Sequence, residues 1–467
     1  MISVPAAEGR NFAVLGMGRT GLTSARALRA SGCSVVVWDD DAMARGRAEE
    51  AGFSLRRLNA EEAFKGIDKL IVSPGIPVLY PIPHPAVALA AKMGIPLDND
   101  IGLFFQAMAN SRRGGGPDAP VIVAITGSNG KSTTAALLRH VLKTTGRHSQ
   151  IAGNFGNGVL ASDPPRPGEV IVLELSSYQT ELASELEPDI AVMLNLSPDH
   201  LDRHGGLGGY FAAKRRLFAS DRIRTAVIGI DDPEGRFLAS EYSARKGRAS
   251  VVRISGSEID AESESWSICA SNGRFREYRG GQVLEYQEFD APSGLPGAHN
   301  LFNACAVLAA CKQLGIRARQ AIAAMESFQG LRHRMQFIGM RRGVSYVNDS
   351  KATNVASAAR SLQAFDSIRW IAGGRAKEGG LSSLGRSASK VVKAYYIGEA
   401  AEDFARQISD VPFEICGDMA AAVSAAARDS RAGDTVLLAP AAASFDQFSN
   451  FEERGDEFAA EVKLLIS

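Results

Sequence analysis

The stretch AITGSNGKSTTA, residues 124–135, constrains what this chain can fold into more than any other. Its apolar start reads as a strand, its glycines as a tight loop, and Lys131 and Ser132 as the opening of a helix. A strand that passes through such a loop into a helix belongs to a parallel sheet with helices on its faces. The loop has the chemistry of a phosphate cradle. Gly127 and Gly130 let the main chain approach an anion, and the N–H groups around Ser128 and Asn129 can point at its oxygens. Lys131 brings a point charge near terminal phosphates. Ser132 offers a hydroxyl suited to magnesium, and Thr133 follows it into the helix. The general pattern, G-x-x-x-x-G-K-[ST], has a glycine where this chain has Ile125. ATP or GTP is the expected ligand; a plain strand–turn–helix is the alternative.

A second signature stands upstream. GMGRTG at 16–21 follows the apolar run NFAVLG and opens a helix, and the next strand ends in WDDD at 38–41. Such a turn places an anionic, nucleotide-like ligand on a helix N-terminus, and it suits NAD as well as any other diphosphate. Arg19 stands where a neutral residue is expected.

The βαβ rhythm continues through KLIVSPGIP at 69–77, restarts at VIVAIT (121) and starts a third time after Arg334. Residues 109–118, ANSRRGGGPD, read as a linker or exposed loop. Between 247 and 290, short alternating runs separated by glycines favour an antiparallel insert. The expected fold is α/β in three domains. Residues 1–107 form a Rossmann-like parallel sheet, 108–330 a central phosphate-loop domain with a small antiparallel insert, and 331–467 a second Rossmann-like domain.

Lys+Arg and Asp+Glu balance at 52 each, so charge gives no argument for nucleic acid or an anionic membrane as partner. The five cysteines form no metal spacing, which suits reduced thiols in a cytoplasmic protein. No apolar run is long enough to cross a membrane, and the N-terminus does not read as a signal peptide.

Glu174 ends the apolar strand IVLEL, where a buried carboxylate needs magnesium or a polar network. His200 follows another apolar strand in NLSPDHLDR, beside Asp199 and Asp202. Phosphoryl transfer needs ligands of this kind near the phosphate loop, although DHLDR reads equally well as a solvated helix start.

Taken in order, TGSNGKST, GNFGN (153–157), ELSSYQTE, NLSPDHLDRH, YFAAKRRLF, GAHNLFNA, GLRHRMQF, NDSKATN, PAAASFDQF and NFEERG resemble the motifs of the Mur ligases over nearly the whole chain. The family's own phosphate loop is the shorter TGxxGK[ST], which accounts for Ile125. The resemblance implies an ATP-dependent amide ligase. It is similar in particular to the branch that joins D-glutamate to UDP-N-acetylmuramoyl-L-alanine through an acyl phosphate, in peptidoglycan precursor synthesis. It further implies ATP with two magnesium ions, and a monomer.

Position by position, the resemblance gives Lys131, His200 and Lys214 catalytic roles. Ser132, Glu174, His200 and Lys214 become metal-site residues, with Lys214 carbamylated by carbon dioxide. Gly127, Ser128, Asn129, Gly130, Lys131, Ser132, Thr133, Asn300, Asn303, Arg334 and Asp349 are implied on ATP. Gly18, Arg19, Thr20, Asp39, Ser73 and Asn154 are implied on the UDP-substrate. Lys351, Thr353, Lys377, Ser444 and Phe451 are implied on the amino acid or nearby phosphate, in a C-terminal domain that closes on ATP.

Other readings remain open. A sibling ligase would add a different amino acid, such as L-glutamate. A folylpolyglutamate-synthase-like ligase would not need the N-terminal βαβ domain. A nicotinamide dehydrogenase and a non-enzymatic ATP-binding scaffold belong to other classes.

Overall fold

The computed structural model describes residues 1–466 apart from 113–115, 117, 157, 246–248, 260–265, 272, 290, 291, 293, 296, 297, 377–379, 382, 383 and 409. The described strands form three sheets. The first holds β1 (Asn11–Leu15), β2 (Ser34–Trp38), β3 (Ser54–Leu55), β4 (Lys69–Val72) and β5 (Leu97–Asp98), in the order β3-β2-β1-β4-β5. All its pairs are parallel. The order reverses at β1, so the turn after that strand opens at the sheet's switch point, where α/β folds bind ligands.

The second sheet is built from β6 (Val121–Thr126), β7 (Ser149–Gly153), β8 (Val170–Glu174), β9 (Ile190–Met193), β10 (Thr225–Gly229), β11 (Ser250–Ser255), β12 (Ser267–Ser271), β13 (Arg274–Arg279) and β14 (Gln282–Glu288). Its order is β14-β13-β12-β11-β10-β9-β6-β8-β7. Strands β8 and β9 are buried along their whole length, and β6 from Ile122 onward, which is why they read as continuous apolar runs and not as alternating ones. The antiparallel insert is narrower than the alternating pattern suggests. β11 pairs parallel with β10, and β12 parallel with β11; only β12–β13–β14 are antiparallel. The helix Pro233–Ala244 supplies the crossover from β10 to β11, so VVRIS closes a βαβ unit and starts no meander.

These two sheets belong to one compact unit, residues 1–290 and 298–326. One apolar core runs through both, from Phe12 and Val14 through Ile101 and Phe105 of the helix Asp100–Ala109 to Ile122 and Leu173. The N-terminal segment is tied in by Ile2 N–H donating to Leu160 O at 2.9 Å.

The second unit comprises 291–297 and 327–467. Its sheet contains β15 (Gln336–Arg341), β16 (Val344–Asn348), β17 (Ile368–Gly373), β18 (Val391–Ile397), β19 (Phe413–Gly417) and β20 (Thr435–Leu438), in the order β15-β16-β20-β17-β18-β19. Every pair is parallel except β15–β16. Among the described residues, no helix is long and apolar enough to cross a membrane.

Candidate active site

The phosphate loop bridges β6 and the helix Lys131–Thr144. Gly130 has φ +83°, and a Cβ there would lie 2.3 Å from Asn303 Oδ1, so the loop closes only with glycine. The same contact puts Asn303 directly on the loop, and Asn303 Nδ2 donates to Asn300 Oδ1 at 3.0 Å. Lys131 Nζ donates to Gly127 O at 2.8 Å and Ser128 O at 2.9 Å, which holds the ammonium over its own loop.

The structure brings Ser132 and Glu174 together. Ser132 Oγ donates to Glu174 Oε2 at 2.6 Å, and both residues are buried. The other carboxylate oxygen, Oε1, accepts from Asn154 Nδ2 at 3.1 Å. A hydroxyl and a carboxylate side by side on a phosphate loop are the hard oxygen donors magnesium takes together with phosphate oxygens and water. Among the described residues no three His, Cys, Asp or Glu side chains gather as a ready cage.

Lys214 is 1% exposed on the helix Leu207–Arg215. Its Nζ donates to Gly127 O at 2.9 Å and lies 4.5 Å from the centre of the Tyr210 ring. Burial, reinforced by the nearby Lys131 charge, pulls its pKa down to about 6 against the opposing pull of Asp199 and Glu174. His200 behaves differently. Its side chain is half exposed, 3.6 Å from Asp199, and its ring lies tilted 5.1 Å from the Tyr178 ring. Its backbone is left-handed, at φ 51°.

The upstream turn opens into a cavity of about 430 Å³. Gly18, Arg19, Thr20, Asp39, Ser73 and Asn154 all line it. Asp39 is not free to choose partners: its carboxylate accepts from the backbone N–H groups of Met17 and Asp41 and so shapes the glycine turn. Ser73 Oγ ties the opposite wall to Gly16 O at 2.7 Å.

In the second unit, Lys351 Nζ sits 3.9 Å from the centre of the Phe451 ring, so two of the residues implied on the amino acid are in contact. Ser444 is buried at the turn before the helix Phe451–Ile466, and Thr353 N–H donates to Lys351 O at 2.8 Å. Asp349 is buried and accepts from Ser361 Oγ and, at 3.3 Å, from Met335 N; burial raises its carboxyl above the usual range. Arg334 is half-buried, its N–H bonded to Leu331 O at 3.2 Å. Lys377 lies outside the described residues.

The sequence also matches known proteins in the same three segments. Residues 10–98 match the MurD-like N-terminal domain of Mur ligases, 125–311 the Mur ligase middle domain, and 333–442 the glutamate ligase domain. The chain belongs to the Mur ligase family. It is 54% identical over 466 residues to the UDP-N-acetylmuramoylalanine–D-glutamate ligase of Cereibacter sphaeroides, covering 100% of both chains. It is also 54% identical over 462 residues to the ligase of the same name from Dinoroseobacter shibae, with 99% of each covered. Among solved structures it shares its fold with the UDP-N-acetylmuramate-alanine ligase MurC of Thermotoga maritima, at a TM-score of 0.54, 16% identity and coverage of 98% and 99%.

Several further residues shape this Mur ligase's site, although the sequence implies no role for them. Asn195 clamps the phosphate loop from β9's end: its O accepts from Ser128 N–H and its Oδ1 from Asn129 N–H, both at 2.9 Å. Ser128 Oγ also bonds Ser197 O at 3.0 Å and Tyr210 OH at 3.1 Å. At the cavity rim, His84 Nδ1 accepts from Ala86 N–H, which leaves Nε2 to donate to Asp40 at 2.9 Å. In the second unit, Arg454 is fully buried. Its guanidinium donates to Ser350 O and Oγ, Gly373 O and Ala442 O, holding together the segments around Lys351, Gly374 and Ser444.

Proposed function

We propose that this chain joins D-glutamate to UDP-N-acetylmuramoyl-L-alanine at the expense of ATP, in peptidoglycan precursor synthesis. The observation that carries the reading is the Glu174 carboxylate. One of its oxygens meets the phosphate loop through Ser132 and the other meets the upstream cavity through Asn154. ATP on the loop and the UDP-substrate in the cavity would then lie on either side of one buried group, as the activation of a carboxylate by ATP requires.

In this reading the substrate's carboxylate oxygen attacks the γ-phosphorus and ADP leaves. The amino nitrogen of glutamate then attacks the acyl carbon, inorganic phosphate departs and an amide remains. A carboxylate is a poor acyl donor until phosphate is its leaving group, so positioning and charge neutralisation do most of the work. Magnesium, when bound, offsets the charge on the phosphate oxygens. Ser132 and Glu174 would hold one ion, and His200 with a carbamylated Lys214 would serve a second. The loop amides and Lys131 hold the phosphates, with Asn300 and Asn303 beside them. Arg334 and Asp349 are assigned to ATP, and Lys351, Thr353, Lys377, Ser444 and Phe451 to glutamate or the nearby phosphate. Residues 1–107, 108–330 and 331–467 are the corresponding modules of a monomer that works in the cytoplasm.

The test is phosphate release. It should require ATP, the UDP-muramoyl-L-alanine acceptor and D-glutamate together; release with L-glutamate alone, or without any amino acid, would overturn the assignment. Ligand binding gives a separate check on the upstream cavity. A ligand at about 100 times its Kd stabilises by roughly 2.7 kcal/mol, so the UDP-substrate should raise Tm while NAD and NADP should not. Gly18 lines the cavity, and a Cβ there meets no protein atom within 4 Å. Gly18→Val should therefore weaken the UDP-substrate's effect and leave the fold intact. Stabilisation by NAD, with none by the UDP compound, would restore the dehydrogenase reading.

A further inference from the structure

The mechanism gives no role to the buried cation that follows His200. Arg203 is 7% exposed and lies on the turn Leu201–His204, directly after His200. Its guanidinium reaches across to the loop that follows β4, where Nη2 donates to Ile76 O at 2.5 Å and Nη1 to Tyr80 O at 3.5 Å. It lies 3.7 Å from Glu181 Oε2 and 5.2 Å from the centre of the Tyr178 ring. His200 and His204 pack on that same ring, at 5.1 and 5.5 Å. Gly205 completes the joint. At φ +66° it takes a conformation that favours glycine, and a Cβ there would lie 2.7 Å from the Tyr80 ring.

The other side of this loop faces the upstream cavity. Ser73, Pro74, Gly75 and Ile76 line it, and Ser73 is bonded to the glycine turn. One short segment therefore touches the cavity on one face and Arg203 on the other. A buried guanidinium donating to two carbonyls is a stiff link, because its own donors have no water to turn to if those carbonyls move away.

We propose that Arg203 is a positioning residue that couples occupancy of the upstream cavity to the placement of His200. A ligand that settles against Ser73–Ile76 fixes the carbonyls of Ile76 and Tyr80. Arg203 transmits that position to its own turn, and with it to His200 and the Tyr178 ring. The inference rests on the cavity holding the UDP-substrate, as proposed above.

Histidine ring NMR tests it in the full chain, with the His200 signal assigned by its loss in His200→Gln. Saturating UDP-muramoyl-L-alanine without ATP should shift the His200 signal in the unsubstituted protein and in Arg203→Lys. In Arg203→Met the ligand should still bind at higher concentration, but the His200 shift should be lost. The kcat of Arg203→Met should fall about tenfold or more beyond any rise in KM, with partial recovery in Arg203→Lys, while stabilisation by ATP alone stays unchanged. An equal His200 shift in Arg203→Met, no shift in the unsubstituted protein, or a change in KM alone would overturn the coupling. If Arg203→Met does not fold, Arg203→Gln carries the same comparison. Failure of the UDP compound to raise Tm in the unsubstituted protein would instead refute the ligand assignment.

Discussion

Lys131→Ala lowers kcat by about 10²-fold or more, the usual cost of removing one preorganised electrostatic donor from a transferring phosphoryl group. The lysine's present partners are the carbonyls of its own loop, Gly127 and Ser128. An incoming phosphate offers a stronger, charged acceptor in the same place. The loop itself should persist without the ammonium, because Asn195 holds Ser128 and Asn129 from behind. Phosphate release measures the loss, and an unchanged thermal transition shows that folding is not its cause. Near-normal turnover in a folded variant would remove Lys131 from the machinery.

The second large effect is expected at Lys214. Carbamylation joins the neutral amine nitrogen to the carbon of carbon dioxide and releases a proton, so it needs a lysine that is uncharged near neutrality. Burial supplies that condition by bringing the pKa to about 6. Above this pH the neutral amine predominates; as pH falls through it the amine protonates, and adduct and activity should decline together. Labelled bicarbonate should give a carbamate carbon signal that disappears in Lys214→Ala, along with about 10²-fold or more of the turnover. Full activity in carbon-dioxide-depleted buffer, with no adduct signal, would leave Lys214 a plain buried amine held by Gly127 O.

Much of the site is readable in the sequence because its chemistry is local. The phosphate loop and the GMGRTG turn each declare themselves within a few residues, as strand, glycines and helix start follow one another. The upstream cavity assembles from GMGRTG, Asp39, Ser73 and Asn154, all of them expected on one ligand. Residues that act by long-range contact are silent. Asn195 sits 66 positions from the loop it clamps, and Arg203 reaches 127 positions back to Ile76. Nothing within NLSPDHLDRH marks either as different from its neighbours. The limit of the antiparallel insert is hidden for a related reason. Alternation reports that one face of a strand is exposed, not which way the chain runs, and β11 is parallel because a helix precedes it.

Glu174 has two oxygens, and they answer to different neighbours: a serine of the phosphate loop and an asparagine of the cavity wall. A molecule built to fill the cavity and displace Asn154 would therefore disturb the carboxylate on which Ser132 depends. Escape from such a molecule by changing Asn154 would strip a donor from the same group. Resistance and impaired phosphate handling would arrive in one substitution, which makes this wall a costly place for the chain to mutate.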